Sequence, residues 1–129
     1  MEVWTEQPAE SDVEATVVRY FGLLRVGEFR EAEQLLEHSS TRHVLKALWS
    51  GSVAVDADED REEPAADEWE RDLSWLRELD LAGTFAWGGG GTRVYVEITY
   101  RERVIEVALS FWVKHVDVGW VLSGPATLW

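Results

Sequence analysis

Two stretches in the C-terminal part of the chain place apolar residues at every second position, strictly so in the first, and this alternation limits the possible folds more than any other feature. The first stretch covers residues 92–100 and the second covers residues 104–115. A period of two places successive side chains on opposite faces of an extended strand. The pattern therefore predicts two β-strands, each with one apolar and one polar face.

The alternation also predicts how these strands pair. If the chain folds back at Glu102 and Arg103, each apolar residue meets another on the same face of the hairpin. The expected pairs are Tyr100 with Ile105, Ile98 with Val107, Val96 with Leu109 and Val94 with Phe111. Because a shift by one residue would move a whole apolar set to the other face, this register is strongly specified.

Turn residues mark two further strands. A short strand is predicted over residues 82–87, followed by a flexible glycine turn over residues 88–91. Residues 117–119 form the next turn, and a last strand covers residues 120–129. Pro125 cannot donate a ladder hydrogen bond, so the end of that strand is expected at a sheet edge or a bulge.

The N-terminal half has helical periodicity instead. Ser11 has the spacing of a capping box with the glutamate three residues later, and Gly27 ends the first predicted helix. A second helix is predicted within residues 28–37, a third ending near Gly51, and a fourth starting at Asp67. The apolar face of the first helix consists of Val13, Val17, Phe21 and Leu24, joined by Tyr20 and Leu23.

Helices first and an antiparallel meander last predict an α+β fold. A chain of 129 residues suits one domain. Residues 1–10 are polar and acidic and are expected to form a mobile arm, and residues 11–129 to form the single domain. Residues 56–66 have no apolar periodicity and are expected to be an acidic, solvated loop within it.

Composition excludes several function classes. The net charge of −13 repels phosphate backbones, so nucleic-acid binding is not expected. Cysteine is absent, no apolar run approaches the roughly 18 residues of a membrane span, and no ligand spacing indicates a metal site. The first residues lack the features of a signal peptide. We therefore expect a cytoplasmic protein with no cofactor and no membrane contact.

Two segments of the chain resemble a known superfamily. Residues 16–29 read Thr-Val-Val-Arg-Tyr-Phe-Gly-Leu-Leu-Arg-Val-Gly-Glu-Phe, and residues 111–121 read Phe-Trp-Val-Lys-His-Val-Asp-Val-Gly-Trp-Val. Together with the order of elements between them, they resemble the nuclear transport factor 2-like superfamily over residues 11–129. The resemblance implies a cone-shaped, curved antiparallel sheet wrapped around three to four helices, with a pocket at the open end. Its members include ketosteroid isomerases, polyketide cyclases and proteins without activity, so the fold does not settle function.

The resemblance to the isomerase branch identifies Tyr20 as a candidate catalytic residue. A phenol at this position would donate a hydrogen bond to a developing oxyanion. The same branch needs a carboxylate base after the second helix and a protonated aspartate on a late strand. Residues 38–43 contain no acid, and the second position falls near Phe111. His115, at the rim of the predicted mouth, is the alternative base. The structural alternatives are a core tyrosine and a histidine at a strand end.

The abundance of aromatic residues, eight tryptophans among them, favours a binding protein without the standard catalytic residues. Its ligand would be a small apolar molecule or a protein partner. The candidate ligand-binding residues are Tyr20, His43, Trp49, Trp69, Tyr100, Trp112 and Trp120. The alternative for the tryptophans is that they fill the core, and for His43 that it faces solvent from the third helix.

Two other functions stay open, and a homodimer is compatible with each function. One is a small-molecule enzyme of the polyketide cyclase or ketosteroid isomerase-like class, which would use Tyr20 with His115 or an acid. Another is an acidic interaction module, since residues 56–80 hold twelve acids against three arginines and would engage a basic protein. A homodimer is also expected, through the outer sheet face that holds Tyr95, Thr99 and Trp112.

Overall fold

The computed structural model describes residues 3–37, 41–52 and 72–128. Within these ranges the chain forms three α-helices, one short 3₁₀ helix and four antiparallel strands, which confirms the predicted α+β class. The elements are α1 (Glu10–Arg25), α2 (Phe29–Glu33), α3 (Thr41–Gly51), the 3₁₀ helix (Ser74–Glu78), β1 (Leu79–Gly88), β2 (Arg93–Tyr100), β3 (Arg103–Val116) and β4 (Gly119–Leu128). The strands lie in the order β1-β2-β3-β4, as a simple meander.

The β2–β3 hairpin has the predicted register over half of its length. Val96 lies opposite Leu109 and Val94 opposite Phe111, as the alternation predicts. Nearer the turn the prediction is wrong, because the register shifts after Glu97 and Tyr100 then faces Arg103. The chain reverses at residues 101 and 102, whose φ angles are 51° and 68°. Two consecutive positive φ angles define the tight two-residue turn that matches strand twist. A bulge on β3 accommodates it.

The core lies between the inner face of this sheet and the helices. The predicted apolar residues of β2 and the residues Val107, Leu109 and Phe111 of β3 are all buried. The predicted face of α1 is buried against them, together with Thr16 and Tyr20. Each fully buried apolar side chain of this kind stabilises the fold by about 1.5–3 kcal/mol. Periodicity therefore identified both sides of the core.

The helix boundaries differ from the predictions in two places. Helix α1 begins one residue before Ser11, and the carboxylate of Asp12 accepts a hydrogen bond from the backbone N–H of Ala9 at 3.3 Å. Ser11 is therefore not the cap. Helix α2 (Phe29–Glu33) lies within residues 28–37, as predicted. Of the predicted fourth helix the described part is the 3₁₀ helix only, since the chain enters β1 at Leu79, and residues 67–71 lie outside the described residues.

Glycine and proline act where the sequence indicates. Gly27 has a φ of 82° and follows the end of α1, as predicted. The turn at residues 88–91 contains three glycines with positive φ, a conformation that other residues rarely adopt. β4 is an edge strand, and its register with β3 breaks between Ser123 and Ala126. Pro125 thus lies at both an edge and a bulge, which confirms its prediction.

Two other segments bond to the outer edge of β4. Trp4 forms an antiparallel bridge with Trp120, with backbone hydrogen bonds of 2.9 and 2.8 Å. The backbone N–H of Glu37 donates to the carbonyl of Leu122 at 2.9 Å. These bonds cover backbone groups that would otherwise be open to pairing with another chain. They also give residues 1–10 a backbone contact that the prediction of a mobile arm did not include.

Candidate functional site

Tyr20, the candidate oxyanion donor, is a core residue in the structure. Its side chain has 0% of its surface exposed. Its ring packs edge-on against Phe111, with centroids 6.0 Å apart and planes at 81°. This is the favoured T-shaped arrangement of an aromatic pair. In this conformation nothing dissolved in water reaches the phenol, so the structure favours the core alternative for this residue.

Trp49 on α3 and Tyr100 on β2 are also buried in the core. The hydroxyl of Tyr100 donates a hydrogen bond to a carboxylate oxygen of Glu78 at 3.3 Å. Arg101 completes this cluster, because its Nε lies 3.1 Å from the other Glu78 oxygen and its guanidinium lies 4.9 Å from the centre of the Tyr100 ring. The cluster joins the 3₁₀ helix to the β2–β3 turn. These contacts stabilise the fold and hold the Tyr100 side chain in the core.

His115 and Trp120 lie opposite each other close to the turn of the β3–β4 hairpin. Their ring centroids are 4.8 Å apart, with planes tilted by 34°. His115 has the phase of the apolar face of β3, as predicted, but it lies beyond the covered part of the sheet and is exposed. Trp120 is partly buried and carries the bridge to Trp4. The two predicted residues are thus in contact with each other, and both are distinct from the buried Tyr20.

The remaining predicted residues lie in separate places. His43 is exposed on α3, and its Nε2 is 3.1 Å from the hydroxyl oxygen of Thr127. Trp112 shares the outer face of the sheet with Arg93, whose guanidinium lies 5.8 Å from the indole centre. It therefore does not line the interior. Trp69 lies outside the described residues. The structure does not bring those predicted residues that it describes together in one place.

A groove lies instead between the end of α1 and the 3₁₀ helix. Its volume is about 270 Å³, and it is partly open to solvent. Residues 25–27 form one side, at the point where α1 ends. The other side consists of Asp72, Leu73, Ser74, Leu76 and Arg77. We call it the Arg25–Arg77 groove.

Arg25 holds the two sides of the groove together. Its Nη2 donates a hydrogen bond to the backbone carbonyl of Arg77 at 2.9 Å, across 52 residues of sequence. Its Nη1 lies 3.7 Å from a carboxylate oxygen of Asp80, at the start of β1. The Nε atom is inaccessible to water and has no hydrogen-bond partner in the part of the chain that the structure describes. Arg25 therefore links α1 to the 3₁₀ helix and to β1, and its positive charge is partly neutralised by Asp80.

The other two ionisable residues that line the groove are Arg77 and Asp72. In the described ranges, the guanidinium of Arg77 makes no ion pair, and its side chain is exposed. The backbone N–H of Ser74 donates to Asp72 at 2.9 Å, and this bond, with a further bond from the Ser74 side chain, lowers the pKa of Asp72. Asp72 is thus ionised at neutral pH. The groove combines the Arg77 cation and the Asp72 anion with the apolar side chains of Val26, Leu73 and Leu76.

Sequence reasoning missed the Arg25–Arg77 groove. Two weak signals mark its parts: Arg25 is the basic residue in the last turn of a helix, and Asp72 precedes Ser74 at the spacing of a side-chain-capped turn. Neither signal says that the two segments meet. Their contact depends on how α1 docks on the chain entering the sheet, which periodicity does not specify.

Clusters and comparisons add little further information about function. Within residues 3–37, 41–52 and 72–128, no three histidine, aspartate or glutamate side chains are grouped so as to hold a metal ion. No helix in those ranges combines the length and the hydropathy that crossing a bilayer requires. Comparisons of the chain with models of protein families, with curated protein sequences and with solved structures found no match.

Proposed function

We propose that this chain is a non-catalytic protein that binds a small molecule, with a nuclear transport factor 2-like cone as its fold, and that the ligand lies in the Arg25–Arg77 groove. The observation that carries this proposal is the contrast between the two candidate places for a ligand. The interior beside Tyr20 is filled by Phe111 and the apolar face of α1. The groove, in contrast, is a concave site with polar and apolar walls and a volume of about 270 Å³.

The size of the groove limits the ligand. Ligand pockets in proteins measure roughly 300–1,000 Å³. At about 270 Å³ the Arg25–Arg77 groove lies just below this range, so the ligand is small. Its apolar part would contact Val26, which is 68% exposed, and Leu73. Burial of these side chains would supply the hydrophobic part of the affinity.

The geometry gives less support to an enzyme of the ketosteroid isomerase-like class. Such an enzyme needs its hydrogen-bond donor and its base at one substrate. Tyr20 is enclosed in the core, whereas His115 is exposed and stacked on Trp120. A substrate that reached His115 would find no access to the phenol without displacement of core side chains.

A protein contact through the outer sheet face is the second candidate. Tyr95 is 43% exposed on β2, an inner strand of the sheet, with Arg93 and Glu97 two residues away on either side. A two-fold axis near Tyr95 would bring Arg93 of one copy opposite Glu97 of a second copy, and the reverse. The partner in this candidate is therefore a second copy of the chain. The acidic module of residues 56–80 lies largely outside the described residues and gains no support from the structure.

A ligand screen by nuclear magnetic resonance tests the principal proposal. The ¹⁵N-labelled protein would be titrated with small molecules of different charge, and saturable amide shifts are expected at Gly27, Ser74 and Arg77. Two exposed valines offer a matched pair of variants, because Val26 is 68% and Val118 is 67% exposed. Val26→Trp fills the groove and abolishes the shifts, whereas Val118→Trp leaves them unchanged. Shifts that centre on Tyr20 and Phe111 instead would contradict the proposal.

The second candidate is tested by sedimentation over a range of concentrations. Tyr95→Glu places a charge at the centre of the outer face, and Val18→Glu is its control on α1, where Val18 is 51% exposed. If the outer face joins two copies, the wild type and Val18→Glu form dimers and Tyr95→Glu does not. A monomer at all concentrations up to about 1 mM, or equal dimerisation of all three proteins, would rule it out.

A further inference from the structure

We infer that the Arg25–Arg77 groove selects a small monocarboxylate with an apolar tail, and that Arg77 binds its carboxylate. This inference rests on the proposed function, since it names the ligand class of the same site. It begins from the charge distribution. The chain has 25 acids and 12 basic residues, and Arg77 is one of only two cations among the described residues that line the groove.

Arg77 is the cation of the groove whose guanidinium makes no ion pair with the part of the chain that the structure describes. Arg25 already donates to the backbone carbonyl of Arg77 and lies 3.7 Å from Asp80. The same hydrogen bond fixes the main chain of Arg77, so its side chain extends from a held position. A guanidinium presents two parallel N–H donors that match the two oxygens of a carboxylate. Binding of a carboxylate would satisfy these donors without disturbing the Arg25 contacts.

Asp72 restricts the charge of the ligand. It lines the same groove and its carboxylate accepts the Ser74 N–H at 2.9 Å, so it is a fixed negative charge. A phosphate dianion in the groove would be attracted by one free guanidinium and repelled by this carboxylate. A monoanion has a lower desolvation cost, because that cost rises with the square of the ligand charge, whereas its attraction to the single Arg77 guanidinium rises only in proportion to the charge. The groove therefore favours a carboxylate over a phosphate ester.

The apolar walls define the rest of the ligand. Val26 and Leu73 expose side-chain surface at the groove, and Leu76 forms its buried floor. A branched chain of four or five carbons would cover these side chains and remove them from water. The inferred ligand is thus a short, branched aliphatic acid. An amino acid of the same shape would share this chemistry and would add an ammonium group that Asp72 can pair with.

The test uses 4-methylpentanoate, its neutral amide 4-methylpentanamide, and L-leucine as probes. Each is titrated into the ¹⁵N-labelled full chain while the amides of Gly27, Ser74 and Arg77 are followed. We expect 4-methylpentanoate to saturate with a Kd on the order of 1 mM, as suits a ligand of so few atoms. The amide should bind at least tenfold more weakly. If L-leucine binds more tightly than 4-methylpentanoate, the natural ligand is an amino acid. If L-leucine binds more weakly, the natural ligand is a simple carboxylic acid.

Two variants make the test specific to Arg77. Arg77→Gln should weaken 4-methylpentanoate binding at least tenfold and leave binding of the amide unchanged. Arg30→Gln removes one positive charge from exposed α2 and should change neither, and the spectra of both variants show whether they are folded. Equal binding of acid and amide would overturn the inference and leave the proposed function intact. Absence of shifts with all three probes at 20 mM, or equal weakening by Arg30→Gln, would also overturn it, and the wider screen would then decide the proposed function separately.

Discussion

The packed interior makes a quantitative prediction about Phe111. This side chain has no accessible surface and contacts Tyr20 edge-on, at 6.0 Å between centroids. Truncation of a fully buried phenylalanine to alanine typically costs about 3–5 kcal/mol of unfolding free energy, including the cavity that it leaves. The lost aromatic contact accounts for about 0.5–1.5 kcal/mol of that sum. Because a domain of this size is stabilised by roughly 5–15 kcal/mol, Phe111→Ala removes a large part of the stability.

Urea denaturation followed by circular dichroism measures this loss. With a slope near 2 kcal/mol per molar urea, the midpoint of Phe111→Ala should fall by about 1.5–2.5 M. Tyr95→Ala is the control, because that tyrosine is 43% exposed on the outer face and its loss should change stability by less than about 1 kcal/mol. A cost below about 1 kcal/mol for Phe111→Ala would refute the reasoning, since it would mean that an open pocket, rather than packed side chains, surrounds Tyr20.

Two further predictions concern packing and charge. Gly51→Ala should destabilise the protein by about 1–3 kcal/mol in the same assay, because a Cβ there would lie 2.5 Å from a methyl carbon of Val107. Gly22→Ala, in helix α1 with no atom within 4 Å of its added Cβ, should instead stabilise it by about 0.5–1 kcal/mol, and the opposite order would contradict the packing of α3 on β3. The pKa of Asp72 is lowered by its bonds from Ser74, so its contribution to stability is present above its unfolded pKa and is lost as pH falls through the lower folded value. The stability difference between wild type and Asp72→Ala, measured from pH 7 to pH 2, should therefore shrink below about pH 4, and a difference that grows there would refute the assignment.

Periodicity predicted most of the fold because burial depends on one face of each element. The alternation in β2 and β3 identified the inner face, and the pairing of Val96 with Leu109 followed from it. The same reasoning failed near the turn. Arg101 and Glu102 adopt positive φ, and the residue types that usually signal such a turn are glycine and asparagine. The residue types at the turn therefore did not predict the bulge that places Tyr100 opposite Arg103.

The candidate site could be predicted much less well than the fold. Aromatic residues were the natural candidates, but an indole or phenol serves a core as well as it serves a pocket, and composition does not separate the two uses. Tyr20 and Trp49 are buried in the core, whereas Trp112 lies on the outer face. The groove depends on a hydrogen bond between residues 52 positions apart. Such a long-range contact follows from docking of elements and leaves no local pattern.

A crystal structure of the protein soaked with 4-methylpentanoate would show where the ligand binds. We expect density for the acid in the Arg25–Arg77 groove, with its carboxylate oxygens about 3 Å from the Arg77 guanidinium and its methyl groups on Val26 and Leu73. The ring of Phe111 should still pack on Tyr20. Density for the acid beside Tyr20, with the Phe111 ring displaced, would contradict a ligand site in the groove and return it to the interior of the sheet.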